Sequence, residues 1–233
     1  MDPTPLNNPP VLEVVLELGV EYGSESSAEL FRAFVASLEG DYPQVDSVTT
    51  EGEDGEEHVR GYAAYNPERT RVVQVGDWGF TLNELAPYSS WKDTAAVARP
   101  VWDRFRKAFS VGAVTRLGLR YINVLDFPSD EGGDRQLLNS WPPFCGDLIE
   151  RDPAGFTLSM DVPLKEPGVR ALVYHGLGQG EGGTVQLVVD NYVYVPAYDG
   201  PVDGVWDEFE RLRAVKNRLF FEAVTDAALD PYR

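Results

Sequence analysis

The chain has 233 residues, with 38 acidic against 20 basic side chains and a formal charge of −18, a field that repels nucleic-acid phosphates and anionic membrane surfaces. A chain of this length buries about 70% of its unfolded surface, so one globular body stands without staples, and the single cysteine, Cys145, rules out a disulfide framework. No run of about 18 apolar residues occurs, and the first ten residues have neither a basic start nor an apolar stretch, so the expected address is the cytoplasm, with no membrane partner.

Taken in chain order, residues 11–22 are rich in Val and Leu with interspersed glutamates, as in a strand. Ser26 and Ser27 offer N-caps for a helix carrying Leu30, Phe31, Phe34, Val35 and Leu38, closed by Gly40 and Pro43. Short strands are expected over 45–50, 58–65, 71–75 and 80–85, joined by Gly, Asp, Asn and Pro turns. A helix over 91–109 closes this half, with Pro100 expected to kink or break it. A strand over 114–127, a short helix over 135–141, and a meander of strands over 156–162, 171–177 and 184–195 follow. The final helix is expected over 205–229, where Trp206, Phe209, Leu212, Val215, Leu219, Ala223 and Ala227 recur at three- and four-residue intervals. The glycine-rich stretch 176–183 lacks the strand-then-helix setting of a phosphate-cradling loop and reads as a hairpin turn.

The order of elements repeats. Val101-Trp102-Asp103-Arg104-Phe105 returns as Val205-Trp206-Asp207-Glu208-Phe209, and the same offset lays the first strand over the strand beginning near Thr115. The expected fold is therefore α+β: a duplicated unit of strand, helix, antiparallel meander and helix, forming a curved antiparallel sheet with helices packed on one side. The two units are expected over 1–112 and 113–233, packed as one globular body.

Four stretches carry a resemblance that spans nearly the whole chain: NPPVLEVVLEL from Asn8, GFTLNELAPYSSW from Gly79, VTRLGLRYIN from Val114 and KNRLFFEAVTDAAL from Lys216. Together they resemble a sporadically distributed family of prokaryotic proteins of about this length, with no established activity. The resemblance implies no catalytic residue, cofactor or metal site. The order of elements is also similar to TATA-binding-protein-like and helix-grip architectures, a likeness of fold that carries no function.

Residues two and four apart share a strand face, so Glu13 and Glu17 lie on one face of the first strand, and Arg116 and Arg120 on one face of its counterpart. If these strands pair, the four form a charge ladder that locks the halves in register; otherwise Arg116 and Arg120 are free to bind an anionic ligand or a partner. Only two histidines, His58 and His175, are present, without HExxH spacing or a serine elbow, so no catalytic residue, metal-ligand set or cofactor is assigned. Asp126, Asp130, Glu131 and Asp134 are expected to face water, and Cys145 to be a small buried apolar group.

Aromatic residues exceed what one small core needs. Tyr192 and Tyr194 share a strand face opposite Val193 and Val195, and with Trp91 they are candidates for a binding surface. Lys216, Asn217 and Arg218 are expected on a solvated helix edge. The function these features suggest is a non-enzymatic interaction module, an accessory subunit or homodimer engaging a protein partner. The alternatives are a small-molecule or catalytic grip between sheet and long helix, and nucleic-acid recognition through a local arginine surface, which the overall charge opposes.

Overall fold

Alternation of side chains builds the centre of the molecule. In β1 (Val11–Glu21), Val14, Leu16 and Leu18 are fully buried and Glu13 and Glu17 project to the other face; in β6 (Ala113–Pro128), Leu117, Leu119, Tyr121 and Leu125 are the buried set. These two strands pair antiparallel, with Leu16 opposite Leu119 and Val14 opposite Tyr121. The computed structural model describes residues 6–23, 26–52, 55–128, 137–139 and 155–233.

Around that pair runs one nine-stranded sheet in the order β2-β3-β4-β5-β1-β6-β9-β8-β7, antiparallel at every step. Its outer strands are β2 (Gln44–Glu51), β3 (Glu57–Tyr65), β4 (Arg71–Gly76) and β5 (Gly79–Leu85) on one side, and β7 (Phe156–Pro163), β8 (Arg170–Gln179) and β9 (Thr184–Val195) on the other. In each half the first strand lies at the centre, the strand preceding the long helix pairs beside it, and the others extend outward.

Helices α1 (Ala28–Ala36), α2 (Trp91–Ala108) and the first half of α3 (Val205–Ala223) lay their buried apolar residues on one face of the sheet, in a single cluster with Leu16, Leu82, Leu119 and Val193. Phe80, Trp102 and Phe105 fill its middle, with ring centroids 5.4–5.7 Å apart. A second cluster, around Leu125, Leu177, Leu187 and Phe220, lies toward the far end of α3. α2 and α3 run antiparallel: Trp91 packs near Phe209, Arg99 lies over Trp206, and Arg106 reaches Asp203.

Three expectations change. Pro100 does not break α2, because Ala95, Ala98, Val101, Trp102 and Phe105 on both sides of it are buried against the sheet and outweigh one lost hydrogen bond. The last helix stops at Ala223: Val224 is extended, and Thr225 caps a separate short α4 (Asp226–Leu229) by accepting from Ala228 N at 3.2 Å. The carbonyls this frees are taken by Asn139, whose backbone N–H donates to Ala223 O (2.7 Å) and whose amide donates to Glu222 O and Val224 O. The repeated pentapeptide is not equivalent in space, since Val101 follows Pro100 in the second half of α2 whereas Val205 opens α3. The short helix expected over 135–141 falls largely outside the described residues, as do Trp141, Phe144, Cys145, Asp130, Glu131 and Asp134; within the described part, Leu138 bridges Val224.

Candidate functional site

Two sets of residues stand out, one on each face of the sheet. On the face away from the helices, Arg116 Nε donates to Glu17 Oε1 (3.0 Å), Arg116 Nη2 donates to Tyr192 Oη (2.9 Å), and the Tyr192 hydroxyl donates to Glu17 Oε2 (2.8 Å), closing a triangle. Burial and then the Glu17 charge push the Tyr192 hydroxyl well above its ordinary pKa, so it stays a donor. The rings of Tyr192 and Tyr194 stack, with centroids 5.1 Å apart and planes 11° from parallel, and the Arg116 guanidinium lies 4.5 Å from the Tyr194 centroid. Gly118 makes room for this, because a Cβ there would collide with the Tyr192 ring.

The four-residue ladder is divided. Arg120 turns away from Glu13 to β9, where Asp190 accepts from its Nε (2.8 Å) and Nη2 (2.5 Å), while Glu13 accepts from Asn83 on β5 (2.6 Å). The register explains it: Arg120 stands opposite Tyr192, one step diagonal from Asp190, and Glu13 is flanked by β5 on its other side. Arg170 on β8 donates to Asp161 (2.9 Å) and to the Tyr194 hydroxyl (3.2 Å). Beside the tyrosine stack, Leu172 (opposite Tyr192) and Tyr174 (opposite Asp190) are 42% and 38% exposed.

On the helix side a row of residues crosses five strands: Arg71, Glu84, Val14, Tyr121 and Asn191 are successive cross-strand partners. Glu84 is buried, pairs with Arg71 (3.3 Å) and accepts from the Thr94 hydroxyl on α2. The hydroxyls of Tyr121 and Tyr88 lie 3.3 Å apart. Lys216 of α3 is buried with its Nζ 3.4 Å from the centroid of the Tyr121 ring. Burial, then the nearby Arg213 charge, lower its pKa to about 7. Asn191 is fully buried, and among the described residues neither of its side-chain polar atoms has a hydrogen-bond partner. Asn123, whose amide donates to Val189 O (3.0 Å), and His175, whose pKa burial lowers, occupy the adjoining row. Asn123, His175, Asn191 and Lys216 fall between the two apolar clusters on their elements.

Lys216 thus corrects the expectation of a solvated edge. It occupies the stripe of Val205, Phe209, Leu212, Phe220 and Ala223, so helical spacing already placed it inward. Asn191 interrupts the inward alternation of Leu187, Val189 and Val193 in the same way. Trp91, expected at a binding surface, is buried at the start of α2 and donates from Nε1 to Glu210 Oε1 (2.5 Å). Arg116, Arg120, Tyr192 and Tyr194 lie together on the helix-free face, apart from Trp91, but Tyr194 is as buried as Trp91, so its ring backs the stack and only the partly exposed Tyr192 and arginines reach the surface.

Among the described residues, no group of three or more His, Cys, Asp or Glu side chains is placed to hold a metal ion, and no helix is long and apolar enough to cross a membrane. No protein-family model matches the chain, and no curated protein matches its sequence.

Proposed function

We propose that the chain is a non-enzymatic, cytoplasmic accessory subunit that binds a basic protein partner through the helix-free face of its sheet. The observation that carries this is the exposed pair Leu172 and Tyr174 beside Arg116 and Tyr192, which the buried Tyr194 ring holds in place from behind. Tyrosine and arginine dominate the energetics of protein interfaces, and a stack already held in place loses little side-chain freedom on docking. Arg116, Arg120 and Arg170 each have a carboxylate neighbour, so the patch is close to neutral and costs less to desolvate than free charges would. The formal charge of −18 draws a basic partner toward the chain and opposes a second copy at long range. The resemblance to a sporadically distributed prokaryotic family without an assigned activity is compatible with an accessory role.

We also infer that the two halves descend from one unit. The support is the matching order of strands outward from β1 and β6 and the antiparallel α2 and α3, rather than the repeated pentapeptide.

Native mass spectrometry of the chain purified from cells that express it naturally, with light scattering at low and high salt, tests the functional reading. A heteromeric complex that loosens with salt is expected; a monomer carrying a retained small molecule would argue for the grip between sheet and helix instead.

A further inference from the structure

A second surface lies on the opposite side of the molecule. α2 and α3 leave between them a groove of about 530 Å³ that opens to solvent. Its floor is low because Ala95 and Ala96 end at Cβ. Its walls carry Lys92 and Arg99 from α2 and Glu210 and Arg213 from α3. Three cations face one carboxylate here, in a chain where acidic side chains outnumber basic ones 38 to 20.

The single carboxylate is already engaged, because Glu210 accepts from Trp91 Nε1 (2.5 Å) and from Arg213 Nη1 (3.2 Å). Lys92 and Arg99 have no ion pair among the described residues. Lys92 and Arg99 lie seven residues apart, two turns of α2, and so share a helix face. The Arg99 guanidinium is held 4.5 Å from the Trp206 centroid, which fixes its plane and leaves its N–H edge available.

We propose that this groove binds a small molecule bearing a phosphate group. Two cations without an ion pair among the described residues, on one face of α2, with Arg213 already held by Glu210 across from them, suit a ligand of more than one negative charge such as a phosphate. The volume lies within the range of small-molecule sites and exceeds what a bare ion needs, leaving room for an organic moiety along the alanine floor.

The test is isothermal titration of the full chain with inorganic pyrophosphate, against sodium sulfate at matched ionic strength. Saturable one-to-one binding of pyrophosphate is expected, weakened at least tenfold in the Lys92→Ala/Arg99→Ala double variant and unchanged in Arg60→Ala, which removes a cation on a distant strand. Both positions changed in the double variant are exposed, and circular dichroism verifies that it folds. Absence of saturable binding, equal response to sulfate, or binding that survives the double variant overturns the proposal.

Discussion

The ammonium group of Lys216 stands 3.4 Å from the centroid of the Tyr121 ring, in a layer where no carboxylate pairs with it among the described residues. Its folded-state pKa of about 7 lies below the ordinary 10.5, so the unfolded chain holds this proton more tightly than the folded one. The penalty is full below about pH 7 and is relieved as pH rises toward the unfolded value. Stability to urea is expected to increase between about pH 7 and pH 9, on the order of 2 kcal/mol. Lys216→Met should flatten that rise and raise stability at pH 6. Tyr121 and Tyr88, both shifted upward by burial, stay protonated over this window. A stability that falls from pH 7 to pH 9, or a Lys216→Met variant with an unchanged slope, would contradict this.

Asn191 buries two polar atoms that find no hydrogen-bond partner among the described residues. Asn191→Leu, close to it in shape, is expected to stabilise the chain by about 1–2 kcal/mol, read from the urea midpoint. A loss of stability would mean that the amide is engaged in the native protein.

The two arginines of the helix-free face should differ. Arg120 and Asp190 form a partly exposed pair, and Arg120→Ala is expected to cost less than about 1 kcal/mol. Arg116 joins Glu17, Tyr192 and the tyrosine stack, so Arg116→Ala should cost about 1–2 kcal/mol, with a measurable coupling to Tyr192→Phe in a double-mutant cycle. Equal costs and zero coupling would show that the stack is not a unit.

Gly118→Ala places a methyl group where the Tyr192 ring lies. The ring must swing aside, which should reduce the near-ultraviolet circular dichroism of the stacked tyrosines at a stability cost of roughly 1–2 kcal/mol. An unchanged spectrum would mean that the stack does not depend on the close approach.

The strands were legible in the sequence wherever apolar and polar residues alternate, as in β1 and β9, and the same alternation separated Tyr192 and Tyr194 from Val193 and Val195 onto opposite faces. It did not reveal the partner of Arg120, because that depends on β9 pairing with β6 across a long stretch of chain, which no local pattern encodes. The end of α3 was hidden for the same reason: residues 137–139, far earlier in the chain, take its last carbonyls. Lys216 and Asn191 were legible in position but not in meaning. Each lies on the apolar period of its element; the run of polar residues 216–218 suggested a solvated edge for Lys216, and no sequence signal singled out Asn191.

The central claim is that the Arg116–Tyr192–Tyr194 face holds a protein partner, and the most direct measurement is co-purification from the natural host of the wild-type chain and two surface variants. Leu172→Asp places a charge beside the tyrosine stack, whereas Leu30→Asp places one on exposed α1. The same basic protein should accompany the wild type and Leu30→Asp in fixed stoichiometry and be lost from Leu172→Asp. No stoichiometric partner, or one retained equally by both variants, would contradict the account.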